Sequence, residues 1–238
     1  MDWIYGRQVA RLVLAGNVQR RPRRVVATPA AARALGLAKS DEGARLELTD
    51  AGALDRLTGS REHQGVALAV DPYRYAAPEA LLGGDLVVVL DQVNDPRNLG
   101  AVARSALGVG AGGLAIPRHR AAAVTAAAVK AAAGATERLP IAQVTNVVAF
   151  LKLAKAAGWW VYGASGGASL SYLDLDLSGK VVLVFGSEGS GLRRLAAETC
   201  DTLAQLPMEA GLDSLNVSVA AAVFLYEARR QRLRAATT

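Results

Sequence analysis

The chain has 238 residues, of which 52% are hydrophobic and 20% charged, so it is long enough for one large or two modest globular domains, two being the expectation. No apolar run is long enough to cross a bilayer, since Lys130 interrupts the alanine-rich stretch from Ala121 to Ala133. The single cysteine, Cys200, excludes an internal disulfide, and with only two histidines a zinc site would need carboxylates to complete it, so no metal is expected.

Asp2 and Arg7 flank only a short apolar patch, which does not make a signal peptide, and the protein is expected in the cytoplasm. Residues 1–71 read as a small mixed domain, with a helix over Tyr5–Leu14 and strands at Val25–Thr28, Arg45–Leu48 and Gly65–Val70. Asp71 to Pro78 carries Pro72 and Pro78 and little periodicity, which places a linker at 72–84.

From 85 to 238, continuous apolar runs alternate with helical patterns. Strands are expected at Leu86–Leu90, Gly113–Ile116, Gln143–Val144, Trp159–Tyr162, Val181–Phe185 and Leu203–Leu206. Helices are expected from Asn98, over Ala121–Ala133 and Val147–Ala157, from Leu192 and from Ser214. Strands without polar alternation are buried on both faces, so the class is α/β, with helices covering a parallel sheet whose ligands bind beyond the carboxyl ends of its strands.

The net charge of +6 and pI near 9.8 point to a polyanionic partner. Clustering sharpens this: Arg20, Arg21, Arg23 and Arg24 surround Pro22, and Arg229, Arg230, Arg232 and Arg234 approach the end of the chain, where cations also complement a helix dipole.

Two glycine patterns match well-known motifs only in spelling. Gly108 to Gly113 follows a helix and leads into a strand, the reverse of a dinucleotide fold, so it reads as a helix cap. Gly163 to Gly167 fits a nucleophile elbow, but no histidine follows His119. Cys200 has no nearby histidine either and reads as an inert thiol.

Three other segments sit at strand ends. Asn94-Asp95-Pro96-Arg97-Asn98-Leu99-Gly100 enters a helix that carries Arg104; six residues separate Asn98 from Arg104, which puts them near opposite sides of it, and Arg104 by itself reads as a surface residue. Gly186 to Gly191 leaves a strand and opens a helix, equally a tight turn or a binding loop, with Glu188 able to accept bonds from ribose hydroxyls, base amino groups or an arginine. Leu206-Pro207-Met208 and Ser214-Leu215-Asn216-Val217-Ser218 flank a loop containing Gly211, with Ser214 the expected N-cap; Leu206, Met208 and Leu215 suit either an adenine ring or the core.

Together these three segments resemble the signature motifs of the SpoU (TrmH-like) RNA 2′-O-ribose methyltransferases. Gly134-Ala135-Thr136-Glu137, Val144-Thr145-Asn146, Arg193-Arg194-Leu195, Cys200-Asp201 and Arg229 to Arg232 extend the likeness towards the guanosine methyltransferases of 23S rRNA. Ile4-Tyr5-Gly6 and His63 to Ala67 resemble their extra RNA-binding domain, which is similar to a ribosomal protein. The resemblance implies a SPOUT-type sheet with a deep C-terminal trefoil knot, S-adenosylmethionine held in the knot, and a homodimer whose active site uses both subunits.

On the matching positions, Gly186, Leu206 and Leu215 would contact the cofactor, with Gly163, Ala164, Met208, Asn216 and Ala220 beside them. Asn98, Arg104, Glu188 and Asn216 would form the catalytic and RNA-facing set, in which Arg104 polarises the 2′-hydroxyl, because a guanidinium does not give up its proton. A tRNA or resistance-type rRNA methyltransferase, or an RNA-binding assembly factor without catalysis, are the alternatives. DNA lacks the acceptor hydroxyl.

Overall fold

The computed structural model describes residues 1–16, 18–37, 44–209 and 214–236. The first 70 residues form β1 (Asp2–Tyr5), α1 (Arg7–Leu14), β2 (Arg24–Ala27), α2 (Pro29–Leu35), β3 (Arg45–Leu48), α3 (Ala51–Thr58) and β4 (Val66–Val70). Their four-stranded sheet has the order β1-β4-β2-β3, antiparallel except for the β2–β3 pair. The expected helix at Tyr5 starts at Arg7 instead, because Gly6 sits at φ 112 and the residues before it pair with β4. Helices α2 and α3, both missed in the sequence, are set by side-chain caps: Thr28 accepts from Ala31 N and Asp50 from Ala53 N, and Gly36 and Gly59 end them in left-handed conformation.

The remainder comprises β5 (Leu86–Asp91), α4 (Pro96–Val109), β6 (Gly113–Pro117), α5 (Ala126–Ala131), β7 (Ile141–Val144), α6 (Val147–Ala156), β8 (Trp160–Ala164), β9 (Leu170–Ser171), β10 (Val181–Gly186), α7 (Arg194–Thr199), β11 (Thr202–Gln205) and α8 (Val217–Ala235). All seven strands are parallel, in the order β7-β6-β5-β10-β8-β11-β9. Strand β5 is buried at every position and β10 along all but its last residue, as their unbroken apolar sequences require.

Four helix starts differ from expectation, the first being α4, which begins at Pro96 rather than Asn98 because Asp95 caps it. Helix α5 covers only Ala126–Ala131, because Ala122 N instead bonds Val93 O at 2.8 Å and Thr125 caps the helix by accepting from Ala128 N. Helix α7 begins at Arg194 rather than Leu192. Helix α8 begins at Val217, capped by Asn216 and not by Ser214; the Gly211 loop lies outside the described residues.

The two sheets share one apolar core that includes Ile4, Val9 and Leu68 as well as Leu90, Leu99 and Val129. The segment between them is pinned by Tyr73 Oη donating to Thr136 O at 3.0 Å, Val124 N donating to Tyr75 Oη at 3.0 Å, and a bridge from Ala76 to Ala142. Arg20, expected among the RNA-facing arginines, is 4% exposed and bound to Glu137 of the second unit. Arg232 likewise donates to the carbonyls of Leu177, Asp85 and Gly179. Parts of both arginine clusters are therefore structural. Among the described residues, no helix is long and apolar enough to cross a membrane.

Candidate active site

The carboxyl ends of β5, β10 and β11 bring the three sequence segments together. Gly100 allows this by letting α4 lie against α5, since a Cβ there would overlap the Ala128 carbonyl. Asp95 caps α4, accepting from Arg97 N at 2.8 Å, and the first turn of the helix directs Asn98 inward, where it is 9% exposed.

Asn98, Glu188 and Asn216 form one hydrogen-bonded cluster. Asn98 Nδ2 donates to Glu188 Oε1 at 2.8 Å, and Asn216 Nδ2 donates to the same oxygen at 2.5 Å and to Asn98 Oδ1 at 3.1 Å. The orientation of Asn216 follows from its cap: its Oδ1 accepts from Ser218 N at 2.9 Å and Ser218 Oγ at 2.6 Å, so only its amide nitrogen is left to face the cluster. Within this network, Glu188 Oε2 has no partner among the described residues. Three distant segments thus converge on one carboxylate with an oxygen to spare.

Beside the cluster is a cavity of about 340 Å³, within the usual range for small-molecule sites. The loop after β10 forms one wall. Ser187 and Gly191 exchange backbone hydrogen bonds of 3.1 and 3.0 Å, and Gly189 and Gly191 take φ of 86 and 65, so the loop is a closed turn as well as a cavity wall. Of the residues expected around a cofactor, Ala164, Gly186, Leu206, Met208, Leu215 and Ala220 line this cavity. Phe185 and Phe224, packed edge to face with centroids 5.6 Å apart, line it too. Asn216 lies between the lining residues Leu215 and Val217 but is directed into the polar cluster. Gly163 does not line the cavity: the place of its missing Cβ is occupied by Leu203, Leu192 and Cys200 at 2.6, 2.8 and 2.9 Å, so its role in this chain is close packing behind the wall.

Arg104 lies elsewhere. It is exposed on the opposite side of α4, in a separate depression shared with Leu12, Ala132 and Tyr226, as its spacing from Asn98 requires.

One pair escaped the sequence reading. Asp91, the last residue of β5, is fully buried, and Arg193 closes on it with Nε at 2.9 and 3.0 Å, Nη2 at 2.5 Å and its backbone N–H at 3.3 Å. The Asp91 hydrogen bond raises the Arg193 pKa further above its ordinary value. This pair ties the end of β5 to the start of α7. An acid directly after the buried run Leu86–Leu90 was the available signal, because a buried carboxylate needs a cation. Cys200 is half-buried, and burial pushes its thiol up to about 12, which disfavours the thiolate a nucleophile needs. No group of three or more His, Cys, Asp or Glu is placed to hold a metal among the described residues.

The chain resembles known proteins along both units. Residues 85–226 match the family model described as the SpoU rRNA Methylase family, and residues 3–76 match the model described as RNA 2′-O ribose methyltransferase substrate binding. An uncharacterized tRNA/rRNA methyltransferase of Mycobacterium ulcerans is 46% identical over 185 residues, covering 75% of this chain, and one from Mycobacterium tuberculosis is 46% identical over 187 residues, covering 76%. The chain spans 60% and 58% of the length of these two relatives.

Among solved structures, the AdoMet-bound rRNA methyltransferase of Sinorhizobium meliloti superposes with a TM-score of 0.74 at 28% identity, covering 96% of this chain and 87% of that one. The SpoU methyltransferase AviRb of Streptomyces viridochromogenes, in complex with AdoMet, has a TM-score of 0.79 at 24% identity over 97% of this chain and 90% of its own, a likeness of fold. With one family model on each sheet, and the methylase model matching well over half of the chain, this protein belongs to the SpoU rRNA Methylase family.

Proposed function

We propose that this protein methylates RNA, transferring the methyl group of S-adenosylmethionine to a ribose 2′-hydroxyl, with a guanosine of large-subunit rRNA as the acceptor. The observation that carries this reading is the convergence of Asn98, Glu188 and Asn216 beside a cavity walled by a glycine turn and apolar side chains. The donor set suits the cofactor: backbone groups of Gly186–Gly191 offer hydrogen bonds to a nucleoside, while Leu206, Met208 and Leu215 offer faces to an adenine. When bound, S-adenosylmethionine supplies an electrophilic methyl group on a sulfonium centre. Glu188, fixed through Oε1, keeps Oε2 for the incoming nucleotide, which orients the acceptor before reaction.

Arg104 completes the site from a second copy of the chain. Its depression is shared with Tyr226, which is 58% exposed, and Val219 and Tyr226 are seven residues apart on α8, so they lie on one stripe of that helix. A twofold pairing through this face buries the stripe and presents each Arg104 to the other subunit. Threading of the C-terminal segment into a knot is consistent with the strand order, in which β10 enters between β5 and β8 and β11 lies beyond β8. We place the protein in the cytoplasm.

The test is transfer of labelled methyl to unmodified large-subunit rRNA and, separately, to tRNA, with the labelled nucleotide mapped. Label on an rRNA ribose is the expected result. Label on tRNA alone would reassign the substrate, and cofactor binding with no transfer to any RNA would contradict the enzyme reading. In the same assay Gly186→Ala abolishes cofactor binding, because its Cβ would overlap the Gly191 carbonyl group, in backbone that the paired turn holds in place.

A further inference from the structure

We propose that the β6–α5 loop, Arg118-His119-Arg120, grips RNA phosphates beside the ribose presented to Asn98 and Glu188; the inference rests on the reading of the protein as an RNA methyltransferase. The three residues are consecutive and exposed at the carboxyl end of β6, the strand next to β5 in the sheet. None of their side chains has a hydrogen bond or ion pair with another described residue. This separates them from Arg20, Arg23, Arg24, Arg193 and Arg232, whose guanidinium groups are bound to carboxylates or carbonyls.

The loop is also held in an unfavourable backbone shape. Arg120 sits at φ 56, in the left-handed region that non-glycine residues rarely occupy. Its neighbours impose that shape: Arg118 N donates to Val144 O at 2.9 Å and Ala122 N to Val93 O at 2.8 Å, clamping the loop between the ends of β7 and β5. Strain maintained by fixed neighbours at the binding end of a parallel sheet points to a functional loop.

The cationic rim extends on either side. Arg97, one residue before Asn98, keeps 80% of its side chain exposed although it pairs with Asp95. On the side of the first unit, Lys130 Nζ donates to the Glu62 carbonyl, which holds the segment carrying exposed Arg61 against α5. Fixed cations beside a ribose site match the phosphates that flank every nucleotide, whatever its base. The loop therefore sets affinity and register, and base choice is made elsewhere.

The experiment measures filter binding of unmodified large-subunit rRNA across a range of salt concentrations. The test variant is Arg118→Gln/Arg120→Asn, in which asparagine tolerates the left-handed backbone. The control, Arg138→Gln/Lys180→Gln, removes the same charge near the opposite end of the sheet, ahead of β7 and β10. The loop variant should bind more weakly, with the log–log salt slope reduced by about 2, one for each lost phosphate contact. Its cofactor affinity and its kcat at saturating RNA should stay unchanged while KM rises. An unchanged slope, or an equal loss in the control, overturns the assignment of the loop. If the unaltered protein binds cofactor yet neither binds nor methylates RNA, the proposed function fails and takes this inference with it. Methylation by the unaltered protein together with an unchanged KM for RNA in the loop variant removes the loop assignment alone.

Discussion

Arg104→Ala is expected to lower the rate of methyl transfer by about 10²–10³-fold, the usual cost of removing one fixed donor from a site of developing negative charge. Cofactor affinity should not change, because Arg104 lies in the depression with Tyr226 and is absent from the cavity walls. The same placement predicts complementation. Arg104→Ala and Glu188→Ala are each expected to be nearly inactive. A dimer containing one of each has one complete site if arginine is supplied across the interface and none if it acts within its own chain. Random exchange of subunits should then restore about a quarter of the sites. Steady-state kinetics on the mixed proteins checks this: no recovery after demonstrated exchange would place Arg104 outside the partner's site.

The second large effect concerns the joint between the two sheets. Arg20 Nε and Nη2 reach Glu137 Oε2 and Oε1 at 2.8 and 2.7 Å, while Nη1 reaches Asp2 Oδ2 at 3.3 Å and Asp71 O at 3.2 Å. Tyr73 lies against the guanidinium, 5.0 Å from its ring centroid. The side chains of Arg20 and Glu137 are 3% and 0% exposed, so the pair is shielded from water and its members depend on each other. Arg20→Met leaves a buried carboxylate without its cation and should cost about 3–5 kcal/mol. That is a large part of the stability of an ordinary domain, about 5–15 kcal/mol in total.

Removing both charges together, as in Arg20→Met/Glu137→Leu, should recover most of the loss, because neither charge is then stranded. Urea unfolding midpoints distinguish the outcomes. Equal stability of Arg20→Met and the unaltered protein would mean that the pair does not hold the units together. Because the joint fixes the first unit against the unit carrying the candidate site, its loss should, on the proposed function, also raise KM for RNA at temperatures where the protein remains folded.

Much of the architecture is legible in the chain before any coordinates. The apolar runs at β5, β6 and β10 have no polar alternation because both of their faces are covered, and this pattern marks a parallel sheet. The positions of the site segments follow, since ligands gather where such strands end. The N-terminal helices were less legible. Helix α2 is alanine-rich and seven residues long, and its existence depends on the Thr28 cap and on burial of Ala31 and Ala32.

The sequence by itself determined the parallel α/β class and the three candidate segments, because hydrophobic period, turn chemistry and residue spacing are local properties of the chain, and the likeness of those segments to known motifs pointed to the family. Only the tertiary structure decided how these parts are used. It joined Asn98, Glu188 and Asn216 across as many as 118 residues and separated Arg104 from them by the turn of one helix. It also buried Arg20 against Glu137 and left Arg118 to Arg120 exposed at the rim. An arginine bound to a buried carboxylate and an arginine open to phosphate look alike in sequence, and the difference between them is desolvation, which depends on what packs around the side chain after folding.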